Sequence, residues 1–360
     1  MKIEEYTLQT IVEPLLEWFS GHARVLPWRE NPSPYRVWVS EIMLQQTRVE
    51  AVKPYFERFI QALPDVKALA KCPEEQLLKL WEGLGYYNRV RNMQIAAREI
   101  MDNYGGTIPS DYEELLKLKG IGHYTAGAVS SIAYGNAVPA VDGNVLRVIS
   151  RVAADDRDIM KQSVRSNMEK QLSAIIPKGR AGAFNQALME LGATVCLPKT
   201  APKCDECPWQ QLCLARKEEK TAQIPVKSKA AKRRIEEKTV FLIRDGEKIV
   251  LRKRPAKGLL AGMYEFPNEE GYYTQKRALA YVKEMGLMPL RIEELTDAVH
   301  IFSHVEWHMK GYLIRVEAME EEKGFIFAET EDFVDNYPMP SAFGAYTQYL
   351  NIRQGKERWL

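Results

Sequence analysis

The sequence of 360 residues has few cysteines and no long hydrophobic run. Its apolar stretches are far shorter than the ~20 residues of a membrane-spanning helix, and acidic residues within positions 1–19 argue against a secretion signal. The cysteines are odd in number and mostly clustered, which argues against a disulfide framework. We therefore expect a soluble, cytoplasmic protein. The five cysteines are Cys72, Cys196, Cys204, Cys207 and Cys213.

The sequence also lacks a strong excess of one charge. The formal net charge is +2, so bulk charge does not indicate nucleic-acid binding, although a basic face can still form locally. The most basic stretch is "IPVKSKAAKRRIEEK" (224–238), which has no apolar periodicity. Two interpretations of it stay open: a solvated tether between domains, or a segment that touches phosphates.

The chain divides by its hydrophobic pattern into two parts. Residues 1–218 contain successive segments with apolar residues at helical spacing, separated by Pro, Gly, Asn and Asp. Residues 238–360 contain shorter, strand-like segments such as "TVFLIRD" and "KIVLRKR", with one helical segment, "TQKRALAYVKEMGL". The pattern predicts a multi-domain protein: an all-α region at 1–218, a linker at 219–237 and an α+β domain at 238–360.

Four cysteines close the helical part with the spacing C-x7-C-x2-C-x5-C, from Cys196 to Cys213. Four thiolates this close require a soft metal or a cluster. Zinc sites usually combine two short Cys-x2–4-Cys pairs, and only one such pair, Cys204 and Cys207, is present here. The spacing therefore favours a [4Fe-4S] cluster over zinc. Lys199 and Lys203 place positive charge beside this loop. Two interpretations stay open: these lysines contact phosphate, or they are ordinary solvent-exposed charges.

A Gly-Ile-Gly turn, Gly120 to Gly122, lies between two helical segments in "LKGIGHYTAGAV". Glycine permits the left-handed backbone of a tight turn, and the free amides at the following helix start can bind a phosphate. A plain turn is the alternative. In its helical context, the motif predicts a helix-hairpin-helix that binds DNA without reading its sequence.

These motifs together resemble the endonuclease III superfamily of DNA glycosylases. "LPWRENPSPYRVWVSEIMLQQTRV" (26–49), "GLGYYNRVRN" (83–92) and "FSH" (302–304) narrow the resemblance to the MutY-type adenine glycosylases, which act on adenine opposite 8-oxoguanine. The C-terminal part resembles the family's Nudix-like domain but lacks the acidic Nudix signature. The usual first cysteine spacing is six residues, whereas here it is seven. The resemblance implies a six-helix barrel at about 30–135 and an iron–sulfur subdomain formed by 1–29 and 136–218.

The resemblance also implies the catalytic residues. It makes Glu41 the proton donor to adenine N7 and Asp142 the carboxylate beside the anomeric carbon, supported by Tyr124 and Asn144. Glu41 lies in a strongly apolar segment, where burial favours the neutral form. Asp142 precedes a helix start, where the dipole and amides favour the charged form. Taken alone, Asp142 could be an ordinary N-cap.

The position two residues after the second hairpin glycine distinguishes reaction types. Bifunctional relatives carry a lysine there that attacks the sugar, whereas this chain has Tyr124. The resemblance therefore implies a monofunctional glycosylase that leaves an abasic site.

Further residues are implied in substrate recognition on double-stranded DNA containing A:8-oxoguanine. Gln46 and Tyr86 match wedge positions that fill the gap left by the flipped base. Arg29 and Gln186 match the family positions that line the adenine pocket. Phe302, Ser303 and His304 match the family loop that contacts 8-oxoguanine. Two alternatives stay open: an endonuclease III-like pyrimidine glycosylase/lyase, and a non-catalytic iron–sulfur DNA sensor. We expect a monomer.

Overall fold

The computed structural model describes residues 8–228, 232–246, 248–317 and 324–350. These residues form two compact units. The first comprises the described residues of Met1–Lys71 and Arg91–Lys229, and the second those of Cys72–Val90 and Ala230–Leu360. Within the described ranges, no helix combines the length and hydropathy needed to cross a bilayer.

The first unit is helical. Its helices are α1 (Val12–His22), α2 (Pro27–Glu30), α3 (Pro34–Leu44), α4 (Val49–Ala62), α5 (Val66–Lys71), α8 (Tyr112–Lys117), α9 (His123–Tyr134), α10 (Gly143–Val152), α11 (Gln162–Ile175), α12 (Ala181–Thr194) and α13 (Leu214–Lys217). Helix α6 (Glu74–Leu80) belongs to the second unit, and α7 (Asn88–Asn103) runs from the second unit into the first.

Polar caps and small residues determine where these helices begin and how closely they pack. The Ser33 hydroxyl accepts from the amide of Arg36 at the start of α3, and Asp111 caps α8. In α9, a Cβ added to Gly127 would lie 2.3 Å from the carbonyl oxygen of Pro139. Glycine at this position therefore lets the loop before α10 pack directly on α9. Helices α1, α10, α11 and α12 share one apolar core, which includes Trp209.

The second unit is built on a mixed sheet in the order β3-β2-β1-β6-β5, with β4 also paired to β1 and β7 to β2. The strands are β1 (Arg234–Asp245), β2 (Lys248–Lys253), β3 (Tyr264–Glu265), β4 (Asn268–Glu270), β5 (Pro289–Ile301), β6 (Val305–Val316) and β7 (Ile326–Glu329). Strands β1 and β6 are parallel, and the other pairs are antiparallel. The helices are α14 (Gln275–Glu284), α15 (Thr330–Asn336) and α16 (Gly344–Thr347).

Both faces of the sheet are buried at its central strand, as the alternation along β1 shows. Val240 and Leu242 enter a core that includes Phe333 of α15, whereas Phe241 and Ile243 enter a second core that includes residues of α14. The predicted classes, all-α followed by α+β, are confirmed. Strand β1 begins at Arg234, inside the range 219–237 that we assigned to the linker, and the predicted domain boundaries remain a prediction.

Candidate active site

A cleft of about 850 Å³ in the first unit collects most of the predicted site residues. Its volume is within the range of pockets that enclose drug-sized ligands. The predicted residues that line it are Glu41, Asp142, Tyr124, Asn144, Arg29, Gln186 and Gln46. Tyr86, Phe302, Ser303 and His304 belong to the second unit. The acids that we predicted to act together therefore share one cavity.

Glu41 is a buried carboxyl on α3. Its side chain accepts a hydrogen bond from the hydroxyl of Tyr124, which follows the first residue of α9. The pKa of Glu41 is raised to about 7: burial is the largest cause, the Tyr124 hydrogen bond opposes the rise, the charge of Asp142 adds to it, and the charge of Arg29 opposes it. A carboxyl with this pKa is largely protonated just below neutral pH and can act as a general acid there.

Asp142 is the N-cap of α10, as its position before "GNV" predicts. Its Oδ1 accepts from the amides of Asn144 (2.9 Å) and Val145 (2.7 Å), and its Oδ2 accepts from Asn144 Nδ2 (2.8 Å). We expected these amides to favour the charged form. They do lower the pKa, but desolvation by burial is the larger effect, and the pKa of Asp142 is raised. The three hydrogen bonds limit that rise.

Asn144 connects Asp142 to Arg147. Its Oδ1 accepts from Arg147 Nη2 at 2.9 Å, and this guanidinium also donates to the carbonyl oxygens of Gly192 (2.8 Å) and Cys196 (2.9 Å). A Cβ at Gly192 would lie 2.7 Å from Asn144 Cβ, so glycine permits the close approach of α12. The amide of Asn144 is thereby held in the orientation that donates to Asp142.

Glu190 is a site residue that the sequence did not indicate. Its side chain is fully buried in α12, lines the cleft, and accepts from Arg29 Nη2 at 2.8 Å and Arg24 Nη2 at 3.1 Å. Desolvation raises the pKa of Glu190, but the two guanidinium groups outweigh it and lower the pKa overall. The ion pairs hold the side chain of Arg29 in place, with its guanidinium also over the ring of Phe19.

The two predicted wedge residues both have an unusual backbone. Gln46 has φ +61° and Tyr86 has φ +47°, in the left-handed region that side-chain-bearing residues rarely adopt. Tyr86 is 47% exposed and lies beside the Arg89 guanidinium, 5.7 Å from its ring centroid. Such strained positions are concentrated at functional sites, which is consistent with the predicted role.

The predicted 8-oxoguanine loop is the turn between β5 and β6. The Phe302 amide donates to the Val305 carbonyl oxygen at 2.9 Å, and the Phe302 ring packs edge-on against Trp307, with centroids 4.9 Å apart. Ser303 and His304 are exposed at the tip, where the Ser303 hydroxyl is 3.3 Å from His304 Nδ1. The aromatic anchor thus leaves these two polar side chains facing solvent.

The Gly-Ile-Gly motif forms the predicted hairpin between α8 and α9. Gly120 has φ +78°, and a Cβ there would also meet Asn92 Cβ at 2.7 Å, so glycine is required. Gly122 is the N-cap of α9, and no side chain caps the helix. The helix-hairpin-helix is confirmed, and its contact with phosphate remains a prediction.

The four clustered cysteines, Cys196, Cys204, Cys207 and Cys213, line one cavity between α10, α12 and the following loop. Among the described residues, no three His, Cys, Asp or Glu side chains are close enough to hold one metal ion. Arg151 Nη1 lies 3.2 Å from Cys196 Sγ, which places a positive charge where thiolates would be needed. A soft donor set around a cavity fits a multi-atom cluster.

Seven residues separate Cys196 from Cys204, one more than is usual in the family. These residues form a closed loop. The Lys203 amide donates to the Val195 carbonyl oxygen at 3.0 Å, so residues 196–203 leave the end of α12 and return to it. Trp209, which is 2% exposed, donates from Nε1 to the Ile11 carbonyl oxygen at 2.9 Å and fixes the second half of the loop. Cys72 is buried and belongs to the second unit.

The chain is similar to known DNA repair proteins. Residues 39–174 match the HhH-GPD superfamily of base excision DNA repair proteins, and residues 239–348 match the NUDIX domain family. An adenine DNA glycosylase of Mus musculus is 32% identical over 96% of this chain and 78% of the relative. One of Buchnera aphidicola is 33% identical, over 85% and 87% respectively. A solved endonuclease III–DNA complex superposes with a TM-score of 0.52 at 27% identity, over 61% of this chain and 99% of that chain.

Proposed function

The chain belongs to the adenine DNA glycosylase family, and from this premise we propose that it removes adenine paired with 8-oxoguanine and leaves the DNA strand intact. Membership of the family makes the protein a DNA glycosylase of base excision repair. The opposite base, the roles of individual residues and the lack of strand cleavage are our proposals.

One observation carries the proposed mechanism: a carboxyl with a pKa of about 7 and a helix-capping carboxyl line the same cleft. Glu41, in its neutral form, donates a proton to N7 of the extruded adenine. The bond between the base and the sugar then breaks, and positive charge develops on the sugar. Asp142, in its ionised form, stabilises that charge until water adds to the anomeric carbon. The water loses a proton to the Glu41 carboxylate, which restores the neutral acid, and the products are free adenine and an abasic site.

The neighbouring residues keep the two acids in these roles. The Tyr124 hydroxyl holds one oxygen of Glu41 and leaves the other for the proton transfer. The three donors on Asp142 stabilise its carboxylate against the effect of burial. Arg29, fixed by Glu190, and Gln186 line the part of the cleft that we assign to the adenine ring.

Monofunctional chemistry is supported by the side chain that follows the hairpin. Tyr124 occupies the position of the attacking lysine in bifunctional relatives, and its hydroxyl is engaged by Glu41. Lys227 is the one lysine among the described residues lining the cleft. Because Tyr124 has no amine, we expect no covalent adduct when borohydride is added to the reaction. An adduct that forms with wild-type protein but not with Lys227→Gln would establish lyase chemistry instead.

Selection of 8-oxoguanine is assigned to the second unit. Oxidation converts guanine N7 from an acceptor to an N–H donor, and a serine hydroxyl can accept from it. The exposed side chain of Ser303 at the tip of the β5–β6 turn, with Phe302 and His304 beside it, supports this role. Tyr86 and Gln46 are assigned to filling the space of the flipped base.

We further propose that Cys196, Cys204, Cys207 and Cys213 hold a [4Fe-4S] cluster, supported by the cavity that their thiols line. When bound, the cluster would cross-link residues 196–213 to the end of α12. We also propose a monomer, since one chain carries every residue that the mechanism uses. Iron and sulfide analysis and light scattering test these two points.

A single-turnover assay on a duplex with one A:8-oxoguanine pair tests the function. Wild-type protein should release adenine and leave an alkali-labile site. Asp142→Asn should abolish release but retain binding to the same duplex, because the variant keeps the shape of the carboxylate without its charge. Near-normal release by Asp142→Asn would remove this residue from its role. Release of an oxidised pyrimidine instead of adenine would contradict the proposal itself.

A further inference from the structure

Two of the cations that line the catalytic cleft, Arg165 and Lys227, have no role in the proposed mechanism. Arg24 and Arg29 are bound by Glu190, and Arg147 by Asn144 and backbone carbonyls. Arg165 of α11 and Lys227, which follows α13, line the same cleft. Within the described ranges, no carboxylate forms an ion pair with either of these two side chains. They are therefore available to bind an anion.

One buried residue, Ile159, binds both the Arg165 side chain and the backbone next to Lys227. The amide of Ile159 donates to the Val226 carbonyl oxygen at 3.1 Å, and the Ile159 carbonyl oxygen accepts from Arg165 Nε at 3.1 Å. Ile159 itself is 1% exposed and belongs to the apolar core. The backbone next to Lys227 and the guanidinium of Arg165 are thus attached to the same rigid residue.

The segment that carries Lys227 is held at further points. The Ser228 amide donates to Asp158 Oδ1 at 3.3 Å, so the residues on both sides of Lys227 are hydrogen-bonded. Arg151 Nε donates to the Ile224 carbonyl oxygen at 2.8 Å. Residues 224–228 are therefore held by hydrogen bonds to the first unit, although residues 226–228 are exposed. Only the Nε atom of Arg165 is used internally among the described residues, which leaves its terminal amino groups as donors.

We propose that Arg165 and Lys227 bind the DNA phosphates that flank the extruded nucleotide. This inference rests on the proposed function. If the base lies at Glu41 and the sugar at Asp142, the phosphates joined to that sugar must lie at the mouth of the same cleft. A fixed guanidinium and an ammonium are suited to phosphate, and such contacts position the strand without reading its sequence.

The salt dependence of DNA binding measures the number of phosphate contacts that Arg165 and Lys227 make. The variants are Arg165→Gln, Lys227→Gln and the double variant, and the control is Lys170→Gln, an exposed lysine on α11 outside the cleft lining. The probe is a duplex with a tetrahydrofuran abasic analogue opposite 8-oxoguanine. Each lost phosphate contact should reduce the slope of log Kd against log salt by about 0.9, so the double variant should lose about 2. Lys170→Gln should keep the wild-type slope.

The outcomes separate this inference from the proposed function. If wild-type protein releases adenine from the A:8-oxoguanine pair but the double variant keeps the wild-type slope, the phosphate contacts are wrong and the function stands. If the slope falls as expected while wild-type protein releases no adenine, the function is wrong and the contacts stand. Should Arg165→Gln fail to fold, Lys227→Gln alone must still lower the slope by about 1, and an unchanged slope overturns the proposal.

Discussion

Replacing Tyr124 by phenylalanine tests whether Glu41 is the proton donor, because the Tyr124 hydroxyl lowers the pKa of that carboxyl against the effect of burial. An acid with a pKa of about 7 is roughly nine-tenths protonated at pH 6 and roughly one-tenth protonated at pH 8. Excision by wild-type protein should therefore slow about tenfold between these pH values. Without the hydroxyl the pKa of Glu41 rises, so the same fall should occur at higher pH.

The assay is the single-turnover rate constant for adenine release between pH 5.5 and 9. Tyr104→Phe is the control, since this tyrosine bonds to Glu114, which is not part of the cleft lining. At the acidic end, protonation of Asp142 should also slow release, so the profile should be bell-shaped, with apparent pKa values that belong to the interacting pair. A midpoint on the alkaline side that stays unchanged or moves to lower pH in Tyr124→Phe would refute the assignment.

Three further predictions concern the supporting residues. Glu190→Gln should destabilise the first unit by about 3 kcal/mol, because two arginines lose a buried counter-charge; thermal unfolding measures this, and a loss below about 1 kcal/mol would contradict it. Ser303→Ala should lower the preference for 8-oxoguanine over guanine opposite adenine about tenfold, the effect of one hydrogen bond, and equal rate ratios in variant and wild type would exclude the contact. Gly127→Ala should destabilise the protein by about 1–3 kcal/mol and slow release, because its Cβ would displace the loop before Asp142; Gly21→Ala, whose Cβ meets nothing within 4 Å, should do neither.

Local signals made part of the site predictable. An aspartate before "GNV" begins a helix in most contexts, and Asp142 does so here. The Gly-Ile-Gly motif required a left-handed residue, which is Gly120. The β1 segment "TVFLIRD" is apolar on both faces because helices cover both sides of the sheet. The first two features depend on residues close together in the chain, whereas the burial of both faces of β1 also requires helices that are distant in the sequence.

The remaining features depend on distant partners. Glu190 looks like any acid in "ALMELGA", and its role follows from Arg24, which is 166 positions away. Asn185 is fully buried and bonds to Ser131, Val138 and Ala140, which fixes the loop before Asp142, yet nothing in its own surroundings marks it. The predicted direction of the pKa shift at Asp142 was also wrong. Burial raises this pKa, and the extent of burial is a tertiary property that an N-cap motif does not indicate.

The left-handed backbone at Gln46 and Tyr86 has a consequence for the evolution of this enzyme. A side-chain-bearing residue in that conformation costs about 1–2 kcal/mol relative to glycine. Selection for heat resistance alone should therefore replace these two positions by glycine or asparagine early. Variants obtained in this way would survive higher temperatures but would lack the side chains that we propose fill the space of the flipped base. On that proposal, a gain in heat resistance would come with a loss of repair activity.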